Sequence, residues 1–201
     1  MSIEDEFITV DAILELRTQT IGVDAFALTL IKAERQMRKL FTHLVFQSSG
    51  FSLADIPGLR EKLAANRRVY FEGFIRGWDT LYPRSVRELI GAPYDRLLGR
   101  LIEAIDHRNK IFHGQLTTKY LSTDDLLMYV KDIRSWCDTL ASGTQREVSY
   151  DGFARNSFRK SIDESLAGRL RVQMMTLDDY ERFIREHMER PNNALQRMSL
   201  T

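Results

Sequence analysis

Apolar residues recur along this chain at three- and four-residue intervals, and strand-type alternation is rare. The spacing predicts helices almost throughout. A first runs from about Ile3 to Thr20, with Phe7, Val10 and Leu14 on one face. Gly22 separates it from a longer one, about Val23 to Gln47, striped by Phe26, Leu30, Met37, Phe41 and Leu44 and closed by Ser48-Ser49-Gly50. Ser52 can cap a short helix from Leu53 to Asn66, with Pro57 in its first turns. In the aromatic stretch from Arg67 to Tyr82, Phe71, Phe74 and Trp78 share a face; Gly73 and Gly77 either let a neighbouring helix come close or are two weak spots in a plain helix. Ser85 to Ile90 reads as a short turn of helix, and Pro93 opens a helix carrying Leu97, Leu101 and Ile105.

Ser122 and Asp125 have capping-box spacing before a helix that should end at Gly143. The rhythm then breaks. Glu147 to Tyr150 could be a short strand, and Asp151-Gly152 is a turn signal. Further helices are expected from about Ser161 to Met175 and from Thr176 or Leu177 to Arg190, with a loose polar tail after Pro191. The expected fold is all-α: a helical bundle over residues 3–146, then a connector and C-terminal helical extension over residues 147–201 that is not an independent domain.

Composition narrows the class. Of 201 residues, 43% are hydrophobic and 28% charged, an ordinary soluble balance. The net charge of +1 gives no global nucleic-acid footprint, so any RNA-binding surface must be local. The one cysteine, Cys137, makes no internal disulfide and reads as a small core residue, and no Cys/His cluster has zinc spacing. The acidic N-terminus lacks an apolar signal core, and no window approaches the ~20 apolar residues of a membrane span. These features predict a cytoplasmic protein with no membrane partner, no cofactor and no metal.

Chemistry concentrates in Arg108-Asn109-Lys110-Ile111-Phe112-His113-Gly114. On a helix, Asn109 and His113 share a face, while Arg108 lies ~140° from His113 around the axis. Arg108 is a permanent cation with a fork suited to phosphate. Asn109 can donate to an oxygen or orient the imidazole, and His113 can move protons near neutrality. This set fits cleavage of RNA by its own 2′-hydroxyl without a metal. In-line transesterification wants both a base and an acid, and the motif offers one His. A two-fold homodimer would supply the second.

Arg-Asn-x-x-x-His followed by Gly resembles the Arg-x(4–6)-His motif of the HEPN superfamily, in which a polar residue follows the Arg. The resemblance covers roughly residues 5 to 142. It implies an all-helical domain, metal-independent endoribonuclease activity in toxin or phage-defence settings, and dimerisation through the motif-bearing helices. Some members carry Glu-x-x-x-Lys/Arg on an earlier helix. Glu34 and Arg38, followed by Lys39, resemble it. Members paired with a nucleotidyltransferase often have Tyr two residues after the His; Gln115 stands there, so that pairing is not implied. The resemblance thus assigns Arg108, Asn109 and His113 as catalytic, with Glu34 and Arg38 in support, RNA as substrate and an antitoxin or regulator protein as a further partner.

Plainer readings stand beside these. A basic residue, His and Gly also suit an ordinary helix C-terminus. Glu34 and Arg38 have the spacing of a common surface pair. His43 and His107 have no partner pattern and read as structural or solvated, and His187 reads as exposed. The aromatic stretch is a core more readily than a base-stacking platform. The connector residues Arg155, Arg159 and Lys160, like Lys110, could grip an RNA backbone, or the loop could be pinned by Phe153 and Phe158. The alternative function is a non-catalytic helical RNA-binding or protein-interaction module.

Overall fold

The computed structural model describes residues 3–16, 18–117, 120–162 and 165–190; the tail after Pro191 and residues 163–164 of the expected 161–175 helix lie outside them. The described chain is helical, with no strand among the described residues. Its helices are α1 (Ile3–Leu14), α2 (Ile21–Gln47), α3 (Ile56–Ala65), α4 (Phe71–Leu81), α5 (Val86–Ile90), α6 (Tyr94–Phe112), α7 (Thr123–Val148), α8 (Ser165–Arg169) and α9 (Leu177–Phe183). A π-helical turn, Ile184–Met188, continues α9. Capping boxes start several of them: Ser52 with Asp55 before the 3₁₀ turn leading into α3, Ser85 with Glu88 at α5, Ser122 with Asp125 at α7, and Thr176 with Asp179 at α9. No described helix is long and apolar enough to cross a membrane.

Chain contacts group the molecule into two units: Met1–Leu40 with Arg84–Ser157, and Phe41–Pro83 with Phe158–Thr201. Each unit is discontinuous, so the division differs from a single boundary at 146/147. The reason lies in α2, whose residues 21–40 serve one unit and 41–47 the other.

In the first unit, α7 buries Leu126, Val130, Ile133, Trp136, Cys137 and Leu140. Phe26 meets Tyr129 at 5.8 Å, and Tyr94 meets Trp136 at the same separation. Gly22 lies inside α2, not between helices, because its missing Cβ leaves room for Thr123 at 3.2 Å. Gly143 likewise does not end α7: it is buried where a Cβ would lie 2.6 Å from the Leu89 carbonyl, and α7 runs on to Val148. The expected strand at Glu147 to Tyr150 is therefore absent. Ser149 stops the helix in the left-handed region, and Asp151 Oδ1 accepts from Phe153 N and Ala154 N to make the turn at Gly152. Residues 15–16 and 18–20 fall outside α1, which ends at Leu14.

In the second unit, the Phe41 ring packs against Phe74, Tyr180 and Phe183. Phe71, Phe74, Trp78 and Tyr82 are buried, so most of the aromatic stretch is core, while Tyr70 is exposed. Arg76 donates to the Met188 and Glu189 carbonyls, satisfying acceptors freed where the π turn ends. Among the described residues, only α8 forms of the longer helix expected after Ser161.

A Cβ on Gly73 would sit 2.4 Å from the Met188 carbonyl oxygen, and one on Gly77 2.8 Å from the Phe41 ring. Helix propensity alone would make Gly73→Ala stabilising by about 1 kcal/mol. The close approach reverses the sign: Gly73→Ala should destabilise by about 1–3 kcal/mol. Urea unfolding of the two proteins checks this, and a raised midpoint in the variant would contradict the packing.

Candidate functional site

The seven-residue motif closes α6. Burial of Tyr94, Leu97, Leu101, Ala104 and His107 faces the helix into its unit, and this fixes where the last turn ends. That turn finishes in a Schellman arrangement. Gln115 N donates to Lys110 O (2.8 Å), Gly114 N donates to Ile111 O (3.1 Å), and Gly114 takes φ +62°. The glycine is needed there because an L side chain rarely adopts that backbone. His113 occupies the C-cap position, with its N–H on Asn109 O.

Arg108 and His113 meet different environments. Arg108 is half-buried and reaches across to α2, where Nη2 donates to Glu34 Oε1 at 2.8 Å and Nη1 to Oε2 at 3.3 Å. This is a two-pronged pair between side chains 21% and 26% exposed, so solvent screens it only partly. Two of the five guanidinium N–H groups are thereby committed, and each terminal nitrogen keeps a second one. Arg108 Nε is buried without an acceptor. Asn109 and His113 are both exposed. The motif therefore pairs a guanidinium of fixed position with a solvent-facing amide and imidazole.

The apolar surroundings of the motif are also uncovered. Ile102 is 39% exposed, Phe112 63%, Leu116 95% and Tyr120 93%. Lys110 is paired with Asp106 one turn back at 2.7 Å.

The supporting residues divide. Glu34 is at the site, as the partner of Arg108, and Arg38 is exposed one turn further along α2. Arg155 stacks on the Tyr150 ring at 4.7 Å and donates to Ser149 O. The same ring lies 5.8 Å from the Lys39 ammonium, which donates to Phe153 O at 3.0 Å. Lys39 is thus brought beside Arg155, a meeting that helix spacing could not reveal because it joins residues more than a hundred positions apart. Arg159 and Lys160 belong to the second unit. Lys160 lies 4.6 Å from the Phe46 ring and donates to the carbonyls of Phe46 and Ser48, so it works as a cap on the end of α2. Phe153 packs edge-on to Phe7 within the first unit, and Phe158 edge-on to Phe46 within the second. The phenylalanines pin the connector.

Of the other histidines and the cysteine, His43, His107 and Cys137 are buried and His187 is partly exposed. His43 is buried beside Gln47, and His107 sits edge-on to Tyr129 at 5.5 Å. The His187 side chain is 40% exposed. Cys137 is fully buried, and burial pushes its thiol pKa up. Among the described residues no three His, Cys, Asp or Glu come together as metal ligands would.

Comparison with protein-family models, curated proteins and solved structures finds no match to this chain. Function must therefore be argued from the site itself.

If Glu34 is what holds Arg108 in place, the two should be energetically coupled. A double-mutant cycle of Glu34→Ala and Arg108→Ala, read by urea unfolding, should give a coupling of about 1 kcal/mol. Additive single changes would mean the pair does not position the guanidinium.

Proposed function

We propose that this protein is a metal-independent endoribonuclease of HEPN type, acting as a homodimer. The observation carrying the reading is a solvent-exposed imidazole, His113, at the capped end of α6, five residues from a guanidinium paired with Glu34. The cation is held before substrate arrives, which is how charge stabilisation at a transition state becomes effective.

His113 takes the proton from a ribose 2′-hydroxyl, whose oxygen attacks the adjacent phosphorus. The bond from phosphorus to the 5′-oxygen breaks. The departing oxygen receives a proton from the second copy's imidazole, leaving a 2′,3′-cyclic phosphate and a 5′-hydroxyl. Arg108 stabilises the extra charge on the equatorial oxygens through its uncommitted N–H groups. Asn109 orients the phosphate or the imidazole. Dimerisation through α6 is what the HEPN resemblance implies and what the need for a second imidazole requires. The HEPN resemblance places such an activity in growth restriction or phage defence, restrained by an antitoxin or regulator protein.

One observation favours a second reading. Glu34 already fills the fork of Arg108, as it would in a module that uses this surface for RNA or protein binding without cleavage.

Purified protein incubated with RNA in chelator should produce 2′,3′-cyclic phosphate ends. His113→Ala should slow that reaction by ~10²–10⁴-fold while leaving the fold intact by circular dichroism. An unchanged rate in His113→Ala removes the catalytic assignment, and binding without cleavage by the native protein favours the second reading. Sedimentation at micromolar concentration should show a dimer.

A further inference from the structure

The net charge of +1 conceals a local concentration of cations on α2, all within the first unit. Successive residues of a helix turn by ~100°. Measured from Glu34, which faces Arg108, Arg38 lies ~40° round the axis, Arg35 ~100° and Lys39 ~140°. Arg38 and Arg35 are solvent-exposed. At the far side, Lys39 and Arg155 meet over the Tyr150 ring. The cations therefore follow one another around the exposed face of α2, from Arg108 to Arg155.

Acidic neighbours are present but engaged. Glu34 holds Arg108, and Glu6 accepts from both Lys32 (3.3 Å) and Arg35 (3.0 Å). Asp151 Oδ1 is taken by the N–H groups of Phe153 and Ala154. Arg35, Arg38, Lys39 and Arg155 thus bring four cations to this side of α2 and the connector beside it. Lys39 registers the crowding: burial lowers its pKa most, Arg35 lowers it further, Glu6 and Asp151 oppose, and Arg155 adds to the lowering. A bound anion would relieve that repulsion. Several of these side chains are also held in place, Arg155 by Tyr150 and Ser149 O, Lys39 by Phe153 O and Arg35 by Glu6.

We propose that Arg38, Arg35, Lys39 and Arg155 form a track that carries the phosphodiester backbone of an RNA strand around α2, leading it to the Arg108–His113 motif. The proposal rests on the endoribonuclease reading for its ligand and adds the route. It also excludes Lys160, whose ammonium is committed to the end of α2.

The probe is an oligouridylate with methylated 2′-hydroxyls, which can bind but cannot be cut. Its affinity is measured against potassium chloride concentration. For single strands log K falls with log salt by ~0.7 per phosphate neutralised. Arg38→Ala and Arg155→Ala should each shallow the slope by about 0.7 and weaken binding several-fold at low salt. Arg155→Lys, which keeps the charge, should retain the slope and guards against a folding effect. Arg96→Ala, which removes from α6 a cation paired with Asp132 of α7, should change neither. Unchanged slopes in both track variants, or an equal loss in Arg96→Ala, would overturn the track. So would failure of the native protein to bind the probe, which would point to an acidic protein as the ligand of this surface. If the track variants behave as expected but unmodified RNA is never cut, the track stands and the nuclease reading fails.

Discussion

A helix buried over much of its surface cannot carry polar side chains without partners, and α2 carries several. This requirement organises the rest. Lys32 is only 11% exposed and Glu6 only 5%, so α1 must dock where that carboxylate meets the ammonium. Losing one partner of such a pair leaves a buried charge and costs about 3 kcal/mol or more. Gln36, also buried, donates to the carbonyls of Cys137 and Asp151 and so ties α2 both to the middle of α7 and to the connector that follows it. Further along, Gln47 donates to Arg159 O and accepts from Ser161 N, holding the later connector to the end of α2. The polar residues of α2 act as docking points, each specifying which backbone or side chain lies against it.

The proposed functional surface inherits its order from the same helix. Glu34 and the cations that follow it are α2 residues whose neighbours are set by this docking. Glu34 has a dual consequence: it fixes the guanidinium of Arg108 and partly neutralises it. Position is gained at the expense of charge, which is useful only where the charge needed at a transition state develops at one defined point. The imidazole four residues beyond Asn109 stays in solvent because the Schellman turn at Gly114 ends the helix before burial resumes.

Helix starts were legible where a local signal carries them. Ser52 and the Ser122–Asp125 spacing read as caps and do cap; Ser85 with Glu88 and Thr176 with Asp179 cap at the other helix starts, since the bonds involved span only three residues. Glycine was read less well. Gly114 terminates α6, but Gly22 and Gly143 lie within helices because a neighbouring helix needs the space. A glycine required for backbone conformation and one required for packing look identical in one dimension.

The same limit governs the site. Residue order alone determined the all-helical class and the presence of a cation, an amide and an imidazole near one helix end, because helix periodicity and end chemistry are local. Only the tertiary structure decided that Glu34 faces Arg108, that Lys39 and Arg155 share Tyr150, and that Lys160 is spent on the end of α2. Those pairings join positions 74 to 116 residues apart along the chain, such as Glu34 with Arg108 and Lys39 with Arg155. They follow from which faces are buried together, a property of the packed molecule that no spacing in the sequence encodes.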